Sequence, residues 1–371
     1  ICTMIKFICE KQALYEAVNH VAKGISQRST ISALEGIRIR LDRDCLELTG
    51  YDLEFGVQTT IDVESEDTGE WILDARLLSE SVRRFSGQTI VFEVSENNSV
   101  GMYCDATEFH ISAQSAEEYP QLPNLAMPGG MSISQPLLKS MIAQTSYATS
   151  TNEAKPVFTG ELFEIQDQQF HMVAIDGFRL AIRKEAVNCN ESYRFVVPKR
   201  TLTEVANMMK EDSEKQCLIT ASRSHIVFTF DGYTVFSRLL EGDFYRYQSS
   251  IPAASETEVI VKTQDLTRCL ERCSLLISGK YNAPIRCVFS GGSLNVTCST
   301  GIGKINDTIP AQITGPDVVI GFNNKFLLEA ARAADGDQIR IQLTGGNHVA
   351  KLVPMEGEHY IYLLMPIQLK Q

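Results

Sequence analysis

The sequence predicts an α+β fold of three tandem duplicated domains, each assembled from two half-units in which a strand runs into one helix and then into further strands. The first observation is a repeated order of patterns. WILDARLLSESVRRFSGQTIVFEV, YRFVVPKRTLTEVANMMKEDSEKQCLITA and DVVIGFNNKFLLEAARAADGDQIRIQL each read as a short apolar strand, an amphipathic helix, a polar turn and a β-branched strand. The second is an interleaved series. IKFICEKQALYEAVNHVAKGIS, GMSISQPLLKSMIAQTSYAT and EVIVKTQDLTRCLERCSLLIS each carry a strand into a helix. Behind them come GIRIRLDRDCLELTGYD, LFEIQDQQFHMVAIDG and IRCVFSGGSLNVTCST, which read as hairpins around polar turns. The third is spacing: the pattern recurs about every 120 residues, too long for a solenoid unit and suited to duplication of whole domains.

In chain order, helices are expected in the windows 10–28, 74–87, 134–150, 198–215, 262–280 and 323–336. Turn-rich stretches PQLPNLAMPGG at 120–130 and SSIPAASE at 249–256 separate the repeats and give domains 4–127, 128–252 and 253–371. The domain ends rhyme: EGDFYRY at 241–247 returns as EGEHYIY at 356–362, with AEEYPQL at 116–122 a looser relative. ICTMIKFICE has no basic region followed by a long apolar run, so no secretory signal is expected, and residues 1–3 are expected to be a cloning remnant ahead of a natural start at Met4.

Composition is that of a globular chain, 44% hydrophobic and 22% charged, with no run of about 18 apolar residues to cross a bilayer. The expected location is the cytoplasm. The ten cysteines are scattered and read as thiols. Cys269, Cys273, Cys287 and Cys298 lack the paired spacings of a zinc ribbon, and Cys269 and Cys273 share a helix face, so no metal and no cofactor are expected. The net charge of −12 argues against a broad basic DNA-gripping surface, yet it is unevenly spread. The six helix windows hold 17 Lys and Arg against 12 Asp and Glu, whereas the rest of the chain holds 17 against 34. Helices gathered on one side would give a mildly positive face, suited to a polyanion held without base readout.

Catalytic signatures fail on inspection. CSTGIGKIN at 298–306 resembles a phosphate loop but has Cys298 where the first glycine belongs and Ile305 where Ser or Thr must follow Lys304. There is no nucleophile elbow or zinc helix, and the six histidines are dispersed. In MVAIDGFRLAI at 172–182, Asp176 beside Arg179 admits a catalytic reading, but Asp-Gly between two apolar strands is a leading hairpin signal. No enzymatic activity is expected.

With three duplicated domains, basic helices, VAIDGFRLA in the middle and LLMPIQL at the end, the sequence resembles the bacterial β sliding clamp family, the processivity subunits of the replicative polymerase, over residues 4–371. The family's middle domain typically carries Ala-Thr-Asp-Gly-His-Arg-Leu-Ala, and its chains end in Met-Pro-Met-Arg-Leu or a variant. The resemblance implies half of a closed ring: a head-to-tail homodimer around double-stranded DNA. It implies DNA-facing positions at Arg28, Arg76, Asn152, Lys199 and Arg200, and subunit contacts of Phe109 and Ile111 with Leu275 and Leu276. It also implies a pocket for short linear peptides of the polymerase, clamp loader and repair proteins. That pocket would use Phe158, Ile175, Gly177, Phe178, Arg179 and Leu180, with Asn323, Phe326, Val349, Met365, Pro366, Ile367 and Leu369. Its apolar members would take leucine and aromatic anchors, and its exposed polar groups would fix the peptide backbone.

This chain departs from the pattern at Phe178, where His is usual, at Gln368, where Arg is frequent, and at Ser249 and Ser250; Lys370 and Gln371 run past the usual terminal Leu. These departures bear on peptide preference. The competing reading is a repeat-built peptide-binding scaffold that does not encircle DNA, motivated by the acidic charge and the apolar tail; a hydrolase around Asp176 is a distant third. Within the tail, Tyr360 to Leu364 is expected as the last strand, ended by Pro366, which cannot donate to a ladder, so that Met365 to Leu369 become a pocket rim.

Overall fold

All six expected helices form, each directly behind a strand. In the computed structural model, which describes residues 4–26, 28–211, 214–277 and 283–369, they are α1 (Lys11–Val21), α2 (Ala75–Arg84), α3 (Gln135–Thr145), α4 (Lys199–Met208), α5 (Thr263–Ser274) and α6 (Asn324–Ala333). The expectations for residues 1–3 and for Lys370 and Gln371 lie outside the described residues. Several helices stop short of their windows: α1 gives way to a 3-10 turn at Ala22–Gly24, and α3 to one at Ser146–Ala148.

The helices are held by one apolar stripe each. On α1, Leu14, Ala17, Val18 and Val21 are buried, and on α5, Leu266, Cys269, Leu270 and Cys273, the three-and-four spacing of a single helix face. Cys269 and Cys273 thus serve as core residues, alongside buried Cys287 and Cys298 in the same cluster. Asp74 caps α2 by accepting from the Leu77 N–H at 2.7 Å, and Asn323 caps α6 by accepting from Lys325 and Phe326.

By contacts the chain forms two units, one drawn from residues 1–136 and 203–239, the other from 137–202 and 240–371. The first holds a four-stranded sheet in the order Ile5–Glu10, Thr89–Val94, Ser99–Cys104, Thr107–Ser112. It also holds a nine-stranded sheet in which Tyr233–Arg238 of the middle repeat pairs antiparallel with Phe55–Asp62 of the first. The second unit has its own nine-stranded sheet, joined where Arg179–Ala186 of the middle repeat pairs with Tyr360–Leu364 of the last, and a four-stranded sheet in the order Gly303–Pro310, Ser293–Thr300, Ile285–Ser290, Val318–Phe322. The units cut through the middle repeat because each junction is a continuous hydrogen-bonded ladder.

One rule generates both junctions. The last strand of a repeat's first half pairs with the last strand of the following repeat's second half: Phe55–Asp62 with Tyr233–Arg238, and Arg179–Ala186 with Tyr360–Leu364. Applied once more, and setting aside the short linking strands Gln114–Ser115 and Gln312–Thr314, which pair within their own repeats, it leaves Gly303–Pro310 and Thr107–Ser112 as terminal strands of their sheets. The expected hairpins also form. Their register leaves two-residue turns, with Asp167 and Gln168 at φ of 51° and 61°, and Gly291 and Gly292 at 56° and 78°, as a type I′ turn requires.

Asn324 ties α5 to α6: its buried amide donates to the Leu270 carbonyl at 3.1 Å and to Ser274 Oγ at 2.8 Å, near the last turn of α5. Asn324→Ala is expected to cost about 1–3 kcal/mol and to speed amide exchange selectively in the last turn of α5, measured by hydrogen–deuterium exchange mass spectrometry.

Candidate interaction sites

The turn between Gln169–Ile175 and Arg179–Ala186 builds the centre of a pocket. Asp176 Oδ1 accepts from the Phe178 N–H at 2.9 Å and the Arg179 N–H at 3.0 Å, and Gly177 takes a φ of 96° that a side chain would resist. The hairpin reading of this stretch is therefore the observed one. The turn lifts Phe178 into solvent, 64% exposed, while folding Arg179 inward to 8%.

Arg179 is a brace. Its Nε donates to Asp176 Oδ2 at 3.0 Å, its Nη2 to the Tyr147 carbonyl at 2.6 Å and its Nη1 to Glu329 Oε2, while its guanidinium lies 4.2 Å from the Phe326 ring centroid. Two carboxylates neutralise it, and the flat cation fills the space between turn and helix. The expectation that exposed polar groups of the pocket would fix a peptide backbone does not extend to this side chain, which is buried and committed within its own chain.

The tail follows the expected course. All of Tyr360–Leu364 is buried as a strand, with Leu364 opposite Arg179 and Leu363 opposite Leu180. Met365 adds one more bond, donating its N–H to the Phe178 carbonyl at 2.9 Å, and beyond Pro366 the Ile367 N–H donates to the Gly321 carbonyl at 2.8 Å. Gly321 permits that approach, since a Cβ there would lie 2.5 Å from the Ile367 carbonyl oxygen and 2.8 Å from Leu369 Cδ2.

Together these elements enclose a cavity of about 460 Å³. Of the expected pocket residues, Phe158, Ile175, Gly177, Phe178, Arg179, Leu180, Val349 and Met365 line it. Ile367 and Leu369 line a neighbouring cavity of about 310 Å³ with Val319, Gly321, Gly346, Asn347 and Gln368. Asn323, Phe326 and Pro366 line neither: Asn323 caps α6, and Phe326 backs the wall, its ring 6.4 Å from that of Phe178. Sequence reasoning missed Lys155, Tyr245, Ser250 and Leu363 as lining residues. Ser250 stood out only as a departure, and Lys155 carried no motif at all. The floor is a buried cluster containing Leu162, Val173, Ile182, Phe244 and Ile361.

The expected DNA-facing residues are placed less uniformly. Arg28, Arg76, Asn152 and Arg200 are exposed and Lys199 is half-buried. Asn152 Oδ1 accepts from the Ala154 N–H, and Arg76 lines a groove with Leu77, Phe85 and Phe109. Several helix cations are paired, Arg83 and Arg84 with Glu80, Lys23 with Glu204, Arg332 with Glu271 and Arg272 with Asp307; of these acids only Asp307 lies outside the helix windows and draws on their excess. At the expected subunit contacts, Phe109 is 38% and Leu275 79% exposed, and Leu276 is half-buried. Ile111, two residues further along the same strand and on the same face, is only 7% exposed within its own chain.

Glu161 is fully buried below the end of α3. Thr145 and Ser146 hydroxyls donate to its carboxylate, yet burial pushes its pKa from 4.5 up to about 7, with Lys199 opposing the shift. Among the described residues, no group of three or more His, Cys, Asp and Glu is arranged to hold a metal ion, and no helix is long and apolar enough to cross a membrane.

Three tandem α+β domains joined by continuous sheets, with an apolar pocket beside the last strand, define a three-domain clamp. Family profiles described as the DNA polymerase III beta subunit match throughout: the N-terminal domain over residues 5–123, the central domain over 132–245 and the C-terminal domain over 248–368. The beta sliding clamp of Bacillus subtilis is 31% identical over 98% of this chain and its own full length. A crystal structure of the DNA polymerase sliding clamp from Bacillus subtilis superposes with a TM-score of 0.96 at 30% identity, covering 99% of this chain and 100% of that one. A putative DNA polymerase III beta subunit from Eubacterium rectale gives 0.94 at 30% identity, covering 98% and 100%. The chain belongs to the DNA polymerase III beta subunit family, the bacterial beta sliding clamps, and its role is that of a DNA sliding clamp in replication. The reading as a scaffold without DNA is not favoured.

Two outcomes follow from these sites. Gly321→Val should force the tail off its seat and leave the fold intact, seen as faster amide exchange at Ile367 and greater susceptibility of the last residues to carboxypeptidase; an unchanged tail would contradict the close approach. For Glu161, the raised pKa means that the ionised form is penalised in the folded state. Stability is therefore greatest below the ordinary value of 4.5 and falls as pH rises to about 7, by about 3 kcal/mol. Glu161→Gln should match the parent's thermal midpoint near the acid end and exceed it above neutrality, measured by calorimetry across that range.

Proposed function

We propose that two copies of the chain close head to tail into a ring of six domains around duplex DNA, by antiparallel pairing of Gly303–Pro310 of one copy with Thr107–Ser112 of the other. The observation that carries this reading is the junction rule: both in-chain junctions join the same two strand positions, and these two strands are the ones it leaves over. Unpaired strand edges are sites for strand addition, and each here has an exposed apolar side chain close by in sequence or space. Phe109 lies on one strand, and Leu275 precedes Leu276, which lies 3.2 Å from where a Cβ on Gly303 would sit.

Inside the ring, Arg28, Asn152, Lys199 and Arg200 meet phosphates through water and mobile side chains, which permits sliding without base readout. Arg76, beside Phe109, serves the joint as much as the DNA. The pocket around Phe178 and Met365 takes short linear peptides of the replicative polymerase, clamp loader and repair proteins. The chain catalyses no reaction of its own and works in the cytoplasm. Leucine and aromatic anchors fit a cavity whose floor is aliphatic and aromatic.

Native mass spectrometry should give a dimer, and loaded protein should stay on circular DNA but leave linear DNA by its ends. Leu275→Asp should weaken the dimer at least about tenfold with an unchanged thermal midpoint. Removing residues 365–371 should abolish peptide binding and leave the dimer intact. A monomer retained equally on linear and circular DNA would overturn the ring; peptide affinity surviving the truncation would overturn the pocket.

A further inference from the structure

The two in-chain junctions are built alike down to their turns. Asp52 Oδ1 accepts from the Glu54 N–H at 3.1 Å and the Phe55 N–H at 2.7 Å, as Asp176 Oδ1 does from Phe178 and Arg179. Leu53 holds the positive φ, 77°, that Gly177 holds at 96°. Phe236 stands opposite Gly56 as Leu363 stands opposite Leu180. Ser32–Glu35 and Pro156–Thr159 form 3-10 turns ahead of Gly36–Asp42 and Gly160–Gln166, burying Leu34 in one junction cluster and packing Phe158 against the other. What differs is the cover. At the second junction a cavity lies open among these residues. At the first, Leu122, Leu125 and Met127 pack on a buried cluster that includes Leu34, Tyr51, Val227 and Phe236.

The covering segment, residues 120–128, is a strap. It has no helix or strand, and its three apolar side chains are only half-buried. Among the described residues its hydrogen bonds are internal: the Ala126 N–H donates to Asn124 Oδ1 at 3.1 Å and the Met127 N–H to the Leu125 carbonyl at 3.2 Å. Its ends are fixed, on one side by Tyr119, whose hydroxyl donates to the Thr49 carbonyl at 3.4 Å, and on the other by Met131, which begins a strand opposite Ile219. Side-chain contact alone holds its middle, the kind of attachment that opens locally without unfolding the rest.

We propose that the first junction is a second, latent peptide site, closed by the chain's own strap, and that a proline- and leucine-bearing segment of a partner protein opens it by taking the strap's place. This rests on the peptide-pocket reading of the second junction, whose architecture the first repeats. The strap itself supplies the ligand chemistry: prolines at 120, 123 and 128 keep it out of helix and ladder, while Leu122, Leu125 and Met127 reach down to the cluster. Tethered at both ends, it competes at an effective concentration on the order of millimolar, so a free peptide binds the first junction weakly until the strap is loosened. Opening breaks no ladder, because the pairing of Phe55–Asp62 with Tyr233–Arg238 does not run through the strap. The site is therefore a minor state that a ligand makes dominant.

The test uses the strap as the probe. Acetyl-YPQLPNLAMP-amide, the sequence of residues 119–128, carries a benzophenone-bearing residue in place of the exposed Ala126, and its cross-links to the full-length protein are mapped by mass spectrometry. The parent should label weakly at the first junction. Leu122→Ser with Leu125→Ser and Met127→Ser should lower the half-saturating peptide concentration at least about tenfold, with labels around Tyr51 and Phe236 and a cooperative thermal transition showing that the fold is kept. Leu125→Ser alone should gain less at the same residues, so the outcome does not hang on the heaviest variant. A peptide with Ser at both leucine positions should not label there. Absence of first-junction labels in the folded variants, or labelling of the parent as strong as theirs, overturns the latent site. Labels around Ile175 and Leu363 report the other pocket separately, so labels confined there overturn the latent site and leave that pocket standing.

Discussion

Backbone hydrogen bonding at strand edges is the constraint on which this molecule rests. A buried or exposed strand edge must pair with something, and in this chain the repeats satisfy one another: Val57 sits opposite Val235 at one junction and Ile182 opposite Ile361 at the other. Side chains at these junctions are buried, so the ladders are also cores, and the repeat boundaries are stiffer than linkers of their composition would be. The same rule that joins the repeats leaves two terminal strands over, the pair that the proposed ring would bring together in a second copy.

The pocket depends on the second junction. Leu363 and Leu364 are held opposite Leu180 and Arg179, so the last strand fixes where Met365 emerges, and the Asp176 turn fixes where Phe178 stands. Arg179 then acts from below. Its two carboxylate partners and its stacking on Phe326 convert a potential ligand-binding cation into a rigid strut. If the pocket takes a flexible peptide as proposed, preorganisation of this kind would lower the entropic cost of binding, because the wall need not order when the ligand arrives.

Much of the fold was legible in the sequence because its signals are local. Helix stripes, two-residue hairpin turns and Pro366 as the end of the last strand all depend on neighbours a few residues away. What stayed hidden depends on partners far apart. Nothing in the sequence revealed that the middle repeat would be shared between two units, since ladder pairing of Tyr233 with Thr59 spans repeats. Lys155 and Tyr245 reached the pocket by packing alone. Charge counting gave a net sign and not a placement: it could not show which helix cations are paired, as Arg83 and Arg84 are with Glu80 and Lys23 with Glu204. Ile111 shows the same limit: alternation puts it on the same strand face as Phe109, and nothing local marks that Ile111 is covered while Phe109 is left 38% exposed.

The most direct test of the account is hydrogen–deuterium exchange of the two leftover strands as a function of protein concentration. If Gly303–Pro310 and Thr107–Ser112 pair between copies, their outward amides gain protection together as concentration rises through the dimerisation range, while Arg179–Ala186 and Tyr360–Leu364 stay protected throughout. Fast exchange of both strands at every concentration, with the protein dimeric by mass, would contradict it.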